Sequence, residues 1–186
     1  MKRIVLTYGL ISGAIIAALM VATIPFLDRI GFDYGMVIGY TSMVVAFLLV
    51  FFGIRSYRET VGKGEISFGR AFKVGILITL ISCVCYVVAW EILYFNFLPD
   101  FAEKYSNYMI EKERASGATA EQLAKKVEEL KSLKSIYDNP FLNAAVTFLE
   151  PFPVGLVMTL VSAAILRKRR EVTEEAEPGT GAINAY

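Results

Sequence analysis

Four apolar runs divide the chain. Ile4–Leu27 and Gly35–Ile54 contain no charged residue, Val74–Phe97 contains only Glu91, and Phe141–Leu166 contains only Glu150. A bilayer core is about 30 Å thick and a helix rises about 1.5 Å per residue, so about 20 apolar residues suffice to cross it. In lipid, a helix satisfies its own backbone hydrogen bonds. The pattern predicts an all-α membrane protein with four transmembrane helices, at about 4–27, 35–54, 74–97 and 141–166. The first run follows Lys2 and Arg3, as a secretory signal would. It is long, and no small-x-small cleavage site precedes Asp28-Arg29, so it reads as a retained helix.

Residues 98–140 change period and polarity. Phe101, Tyr105 and Tyr108 recur at helical steps, then Ser116-Gly117 interrupts them. Thr119-Ala-Glu-Gln122 fits a capping box, and Leu123, Val127, Leu130, Leu133 and Tyr137 form a second stripe. The segment predicts an extracytoplasmic helical hairpin between the third and fourth spans, its stripes facing each other or the membrane surface. Asn139-Pro140 fits an N-cap and first helical residue for the last span. Residues 171–186 are polar and predict a disordered cytoplasmic tail.

Charge sets the expected orientation. Lys2 and Arg3, the loop 55–73 and the cluster Arg167–Arg170 hold 11 of the 19 basic residues. The segment 98–140 holds seven basic residues against eight acidic ones. Excess lysine and arginine marks the cytoplasmic side. The expectation is a bacterial inner-membrane protein with both termini cytoplasmic. Arg55, Arg58, Arg70 and Lys73 fall where lipid headgroups lie, with Phe68 and Phe72 beside them.

Composition narrows the chemistry. The chain is 55% hydrophobic with a net charge of +1, which predicts a lipid bilayer as partner and no nucleic acid. It has no histidine, and Cys83 and Cys85 are spaced for neither a bridge nor a metal. No catalytic residue, metal site or cofactor is expected. Small residues at every fourth position recur at Gly9, Gly13 and Ala17; Gly35 and Gly39; Gly75, Thr79 and Cys83; and Gly155, Thr159 and Ala163. They predict close helix packing, with a homo-oligomer or a membrane-protein partner as the sharper reading.

Glu91 and Glu150 are the costly residues. Counted from the outer ends of their runs, they lie about 9 and about 13 Å deep, with no basic residue in any span. Tyr40, Asn143 and Thr147 fall in the same layer. Three readings stand: carboxyls hydrogen-bonded for structure, a proton or cation site open to the outside, or a Glu91 that snorkels outward beside Trp90 and Tyr94. Pro151 and Pro153 both lack an amide hydrogen, which predicts a helix break beside Glu150. Residues 72–82 and 152–162 also match at Phe, Val, Gly, Thr, Leu and Ser. One helix is too short a unit to read as an inverted repeat.

Five segments carry a resemblance: Leu-Thr-Tyr-Gly-Leu-Ile-Ser-Gly at 6–13, Ile-Gly-Tyr-Thr-Ser-Met at 38–43, Phe-Gly-Ile-Arg-Ser-Tyr-Arg at 52–58, Ser-Phe-Gly-Arg-Ala-Phe-Lys-Val-Gly at 67–75 and Glu-Pro-Phe-Pro-Val-Gly at 150–155. Together they resemble the bacterial membrane family catalogued as domain of unknown function 4199, over about residues 1–170. The resemblance implies a small multi-pass membrane protein and supplies no activity. The expected function is non-enzymatic, through helix packing or partner contacts. The alternative is a small proton- or cation-coupled transporter using Glu91 and Glu150.

Overall fold

The computed structural model describes residues 1–168. The expected tail at 171–186, with Arg169 and Arg170, lies outside them. The described residues form α1 (Lys2–Thr23), a 3-10 turn (Ile24–Phe26), α2 (Leu27–Thr60), α3 (Phe68–Phe97), α4 (Phe101–Ala115), α5 (Ala120–Tyr137), α6 (Pro140–Leu149) and α7 (Pro151–Leu166).

Among these residues, three helical segments are long and apolar enough to cross a membrane: Lys2–Thr60, Phe68–Phe97 and Pro140–Leu166. This corrects the expectation of four transmembrane helices. The first two apolar runs fall in one helical segment: α1, the 3-10 turn and α2 follow one another with no loop between them, and residues 28–34 are helical except at a kink at Gly31. Asp28 and Arg29 do not stop a helix, and Asp28 in the first turn of α2 suits the positive end of its dipole. The chain bends through the 3-10 turn and at Gly31, whose φ of 77° is open to glycine. The two limbs of this segment then lie side by side. The Ser12 hydroxyl donates to the Ala46 carbonyl at 2.9 Å, and Gly53 sits against Tyr8.

Small residues set the helix spacing. Gly9 and Gly13 of α1 face Ile81 and Cys85 of α3 so closely that a Cβ at either would collide. The matched stretches of α3 and α7 meet each other. Gly75 faces Thr159, Gly155 faces Thr79, and the two threonine hydroxyls are 3.0 Å apart. The internal similarity is therefore a reciprocal contact: each helix offers a glycine to the other's threonine. Phe47, Val50, Ile54, Val74 and Ile78 fill the core around this crossing.

Both ends of the bundle are tied. At the basic end, Ile66 and Lys168 exchange backbone hydrogen bonds at 3.0 and 2.9 Å, joining the loop before α3 to the end of α7. Ser67 is the N-cap of α3 but makes no side-chain capping bond. At the other end, α4 and α5 form the predicted hairpin. The Thr119–Gln122 capping box forms in full. The α4 stripe packs on Phe32 of α2, whose ring centroid lies 5.9, 5.4 and 5.1 Å from those of Phe101, Tyr105 and Tyr108. Lys104 pairs with Asp28 at 3.3 Å and Lys112 with Asp33 at 2.7 Å. The hairpin thus lies across the bend of the first segment.

Candidate functional site: a chamber under the hairpin

Between the hairpin and the membrane helices is a chamber of about 320 Å³. Its walls come from the bend of the first segment and from one stripe of α3, Tyr86, Trp90 and Tyr94, at helical steps of four. Its roof is Phe101, Tyr105, Leu130, Leu133 and Tyr137 of the hairpin, and Glu150 opens on it from the junction of α6 and α7.

Next to the prolines the helical hydrogen bonding is interrupted, while Glu150 keeps helical φ and ψ. Pro151 has no amide to give the Thr147 carbonyl, which instead accepts the Glu150 amide at 3.3 Å. Helix α6 ends at Leu149 and α7 begins at Pro151, leaving Glu150 at the joint. There its carboxylate accepts the Tyr86 hydroxyl at 2.9 Å while the residue remains exposed.

One turn nearer the hairpin lies a closed polar network. Asn139 caps α6 by accepting the Phe141 and Leu142 amides. The fully buried Asn143 accepts from the Trp90 indole and the Thr147 hydroxyl, each at 3.0 Å, and donates to the Tyr137 carbonyl at 3.0 Å. Asn143 thereby joins α3, α5 and α6. Polar groups satisfied in this way stabilise one arrangement over its competitors.

Of the predicted layer, the structure unites Glu150, Asn143 and Thr147 around Tyr86 and Trp90. Tyr40 lines the same chamber, 48% exposed. Glu91 is not among the lining residues. It lies one residue past Trp90, about 100° around the helix, and one of its carboxylate oxygens is buried without a hydrogen-bond partner. At the basic end, Arg55, Arg70 and Lys73 are exposed, but Arg58 is engaged by Glu59 at 2.6 Å and by the Leu166 carbonyl at 3.4 Å. Among the described residues there is no metal-binding cluster.

The aromatic lining is what sequence reasoning missed. One of the three readings set Trp90 and Tyr94 beside an outward-snorkelling Glu91, yet the period of four from Tyr86 marks one face turned inward. Gly35 and Gly39 read as a packing face, but a Cβ on Gly39 meets nothing within 4 Å, and both line the chamber. Burial, then the nearby charge of Glu150, pushes the Tyr137 phenol up to about 12.

A family model described as Protein of unknown function (DUF4199) matches residues 7–168. The chain belongs to this family. It is a multi-pass bacterial membrane protein embedded in lipid through its apolar helices. No curated protein and no solved structure matches it. The family match spans the bend, the hairpin and the Glu150 joint, so the whole chamber belongs to the family domain.

Proposed function

We propose that this protein is a non-enzymatic, small-molecule-binding protein of the bacterial cytoplasmic membrane, with the chamber under the hairpin as its binding site. One observation carries the reading: an apolar, aromatic cleft of about 320 Å³ with a single carboxylate at its base. Ligand sites are commonly concave and mostly apolar, with a few converging polar groups, at about 300–1,000 Å³. The excess of lysine and arginine at the opposite end supports a cytoplasmic position for that end and for both termini. The hairpin and chamber then face outward.

Trp90 is the only tryptophan in the chain and lines the chamber, so its emission reports occupancy. Protein in phosphatidylcholine nanodiscs is titrated with neopentylbenzene, a neutral hydrophobe. A saturable change in emission that is lost in Gly39→Leu supports the reading. A non-saturating change, identical in both proteins, sinks it.

The Glu150 joint favours a second reading, proton- or cation-coupled transport through that carboxylate alone. Broken membrane helices beside ionisable groups build such sites. Flux in vesicles that depends on pH and stops in Glu150→Gln is its expected result; equal flux in wild type and variant contradicts it.

A further inference from the structure

We infer that the chamber selects hydrophobic monocations, such as aryl- or alkyl-substituted quaternary ammonium ions. The inference rests on the binding reading above and assigns its ligand class.

Three observations combine. The first is the aromatic wall. Trp90 stands 5.2 Å from Phe101 and 5.8 Å from Tyr94, and Tyr94 stands 6.0 Å from Tyr137, ring centroid to ring centroid. These rings converge on one space with Tyr86 and Tyr105. Aromatic faces attract cations, most strongly where water is excluded.

The second is the charge at the base. Glu150 is the one acidic residue among the lining residues, and Tyr86 fixes its carboxylate with a 2.9 Å hydrogen bond. A carboxylate accepts hydrogen bonds and donates none, so it suits a cation and repels an anion.

The third is the position of the lone basic lining residue. Lys134 sits on an exposed turn of α5, in the hairpin. Lys134 belongs to the hairpin that roofs the chamber, whereas Glu150 belongs to the membrane helices. The side chain that meets the α3 wall at Tyr86 is the acidic one.

A quaternary ammonium ion suits these features better than a metal ion. It sheds its water at little cost, needs no inner ligand set, and covers apolar wall with its own methyl groups. The substrate class is thus a compact organic cation carrying at least one apolar arm.

The test isolates charge from shape. Benzyltrimethylammonium and neopentylbenzene have nearly the same form and differ by the positive nitrogen. Both are titrated into the full-length protein in phosphatidylcholine nanodiscs, read by Trp90 emission. The expected result is preference for the cation by about tenfold. In Glu150→Gln the ratio of the two affinities collapses towards one, and in Lys134→Gln it grows. In Gly39→Leu neither ligand binds. If neopentylbenzene binds and the cation does not, or if Glu150→Gln leaves the ratio unchanged, the ligand class is overturned while the chamber remains a binding site. If neither ligand binds the wild-type protein, both readings fall together.

Discussion

Asn143 shows how one side chain organises the hairpin end. Its amide is fully buried and holds the Trp90 indole, the Thr147 hydroxyl and the Tyr137 carbonyl. Asn143→Ala leaves two donors without an acceptor and one carbonyl without a donor. The expected loss is about 1–2 kcal/mol, lowered by the partial compensation found in lipid; a fall in the thermal midpoint in nanodiscs checks it. Glu91 is the contrary case. One of its oxygens is buried with no partner, so Glu91→Gln is expected to leave the midpoint unchanged or raise it. Tyr137 offers a titration. Burial, then Glu150, holds its phenol up at about 12. The difference absorbance between wild type and Tyr137→Phe is expected to titrate well above the usual tyrosine value of about 10. A difference spectrum centred near 10 contradicts the burial described here.

Among the elements, the glycines divide by what faces them. Gly155 sits against Thr79 and Phe47, so Gly155→Leu overpacks the α3–α7 crossing and is expected to destabilise by about 1–3 kcal/mol. Gly39 faces open space, and Gly39→Leu is expected to fold as well as wild type; urea or heat unfolding of the two variants side by side decides this. Sequence spacing alone could not separate them, since both lie in small-residue repeats. What was legible were the local signals. The Thr119–Gln122 box and the Asn139 cap each depend on neighbours a few residues away, and each stands where it was read. The bend between α1 and α2 was misread because two charges in an apolar stretch look like a loop, yet they continue a helix. The chamber was not legible. It depends on α4 lying over Phe32, and that contact joins residues about 70 positions apart in the chain.

Over the whole molecule, the hairpin is held to the bundle by unlike forces. The Lys104–Asp28 and Lys112–Asp33 pairs are exposed and contribute little in salt. The aromatic cluster on Phe32 and the Asn143 network carry most of the docking. Phe32→Ala is therefore expected to raise hydrogen exchange in α4 more than Lys112→Ala does; the reverse order contradicts this ranking. The pH dependence follows from the same contacts. Lys112 is held above its ordinary value chiefly by its hydrogen bond to Asp33, and Tyr108 chiefly by the neighbouring Asp33 carboxylate; burial raises Tyr137. All three bind their protons more tightly in the docked state. Their contribution is full below the ordinary values of about 10 and is lost as pH rises through the raised ones. Docking is expected to stay constant from about pH 6 to 9 and to weaken above about pH 10, read as a distance between spin labels on α4 and α1.

Glu150, beside Pro151, opens onto a chamber that a hydrophobic molecule can enter. Modification by a hydrophobic carbodiimide at mildly acidic pH, where a carboxyl supplies the proton the reagent needs, is mapped by mass spectrometry in nanodiscs. The expected result is an adduct on Glu150 that falls sharply in Gly39→Leu, where the added side chain fills the space. An unmodified Glu150, or an adduct that Gly39→Leu leaves undiminished, would contradict it.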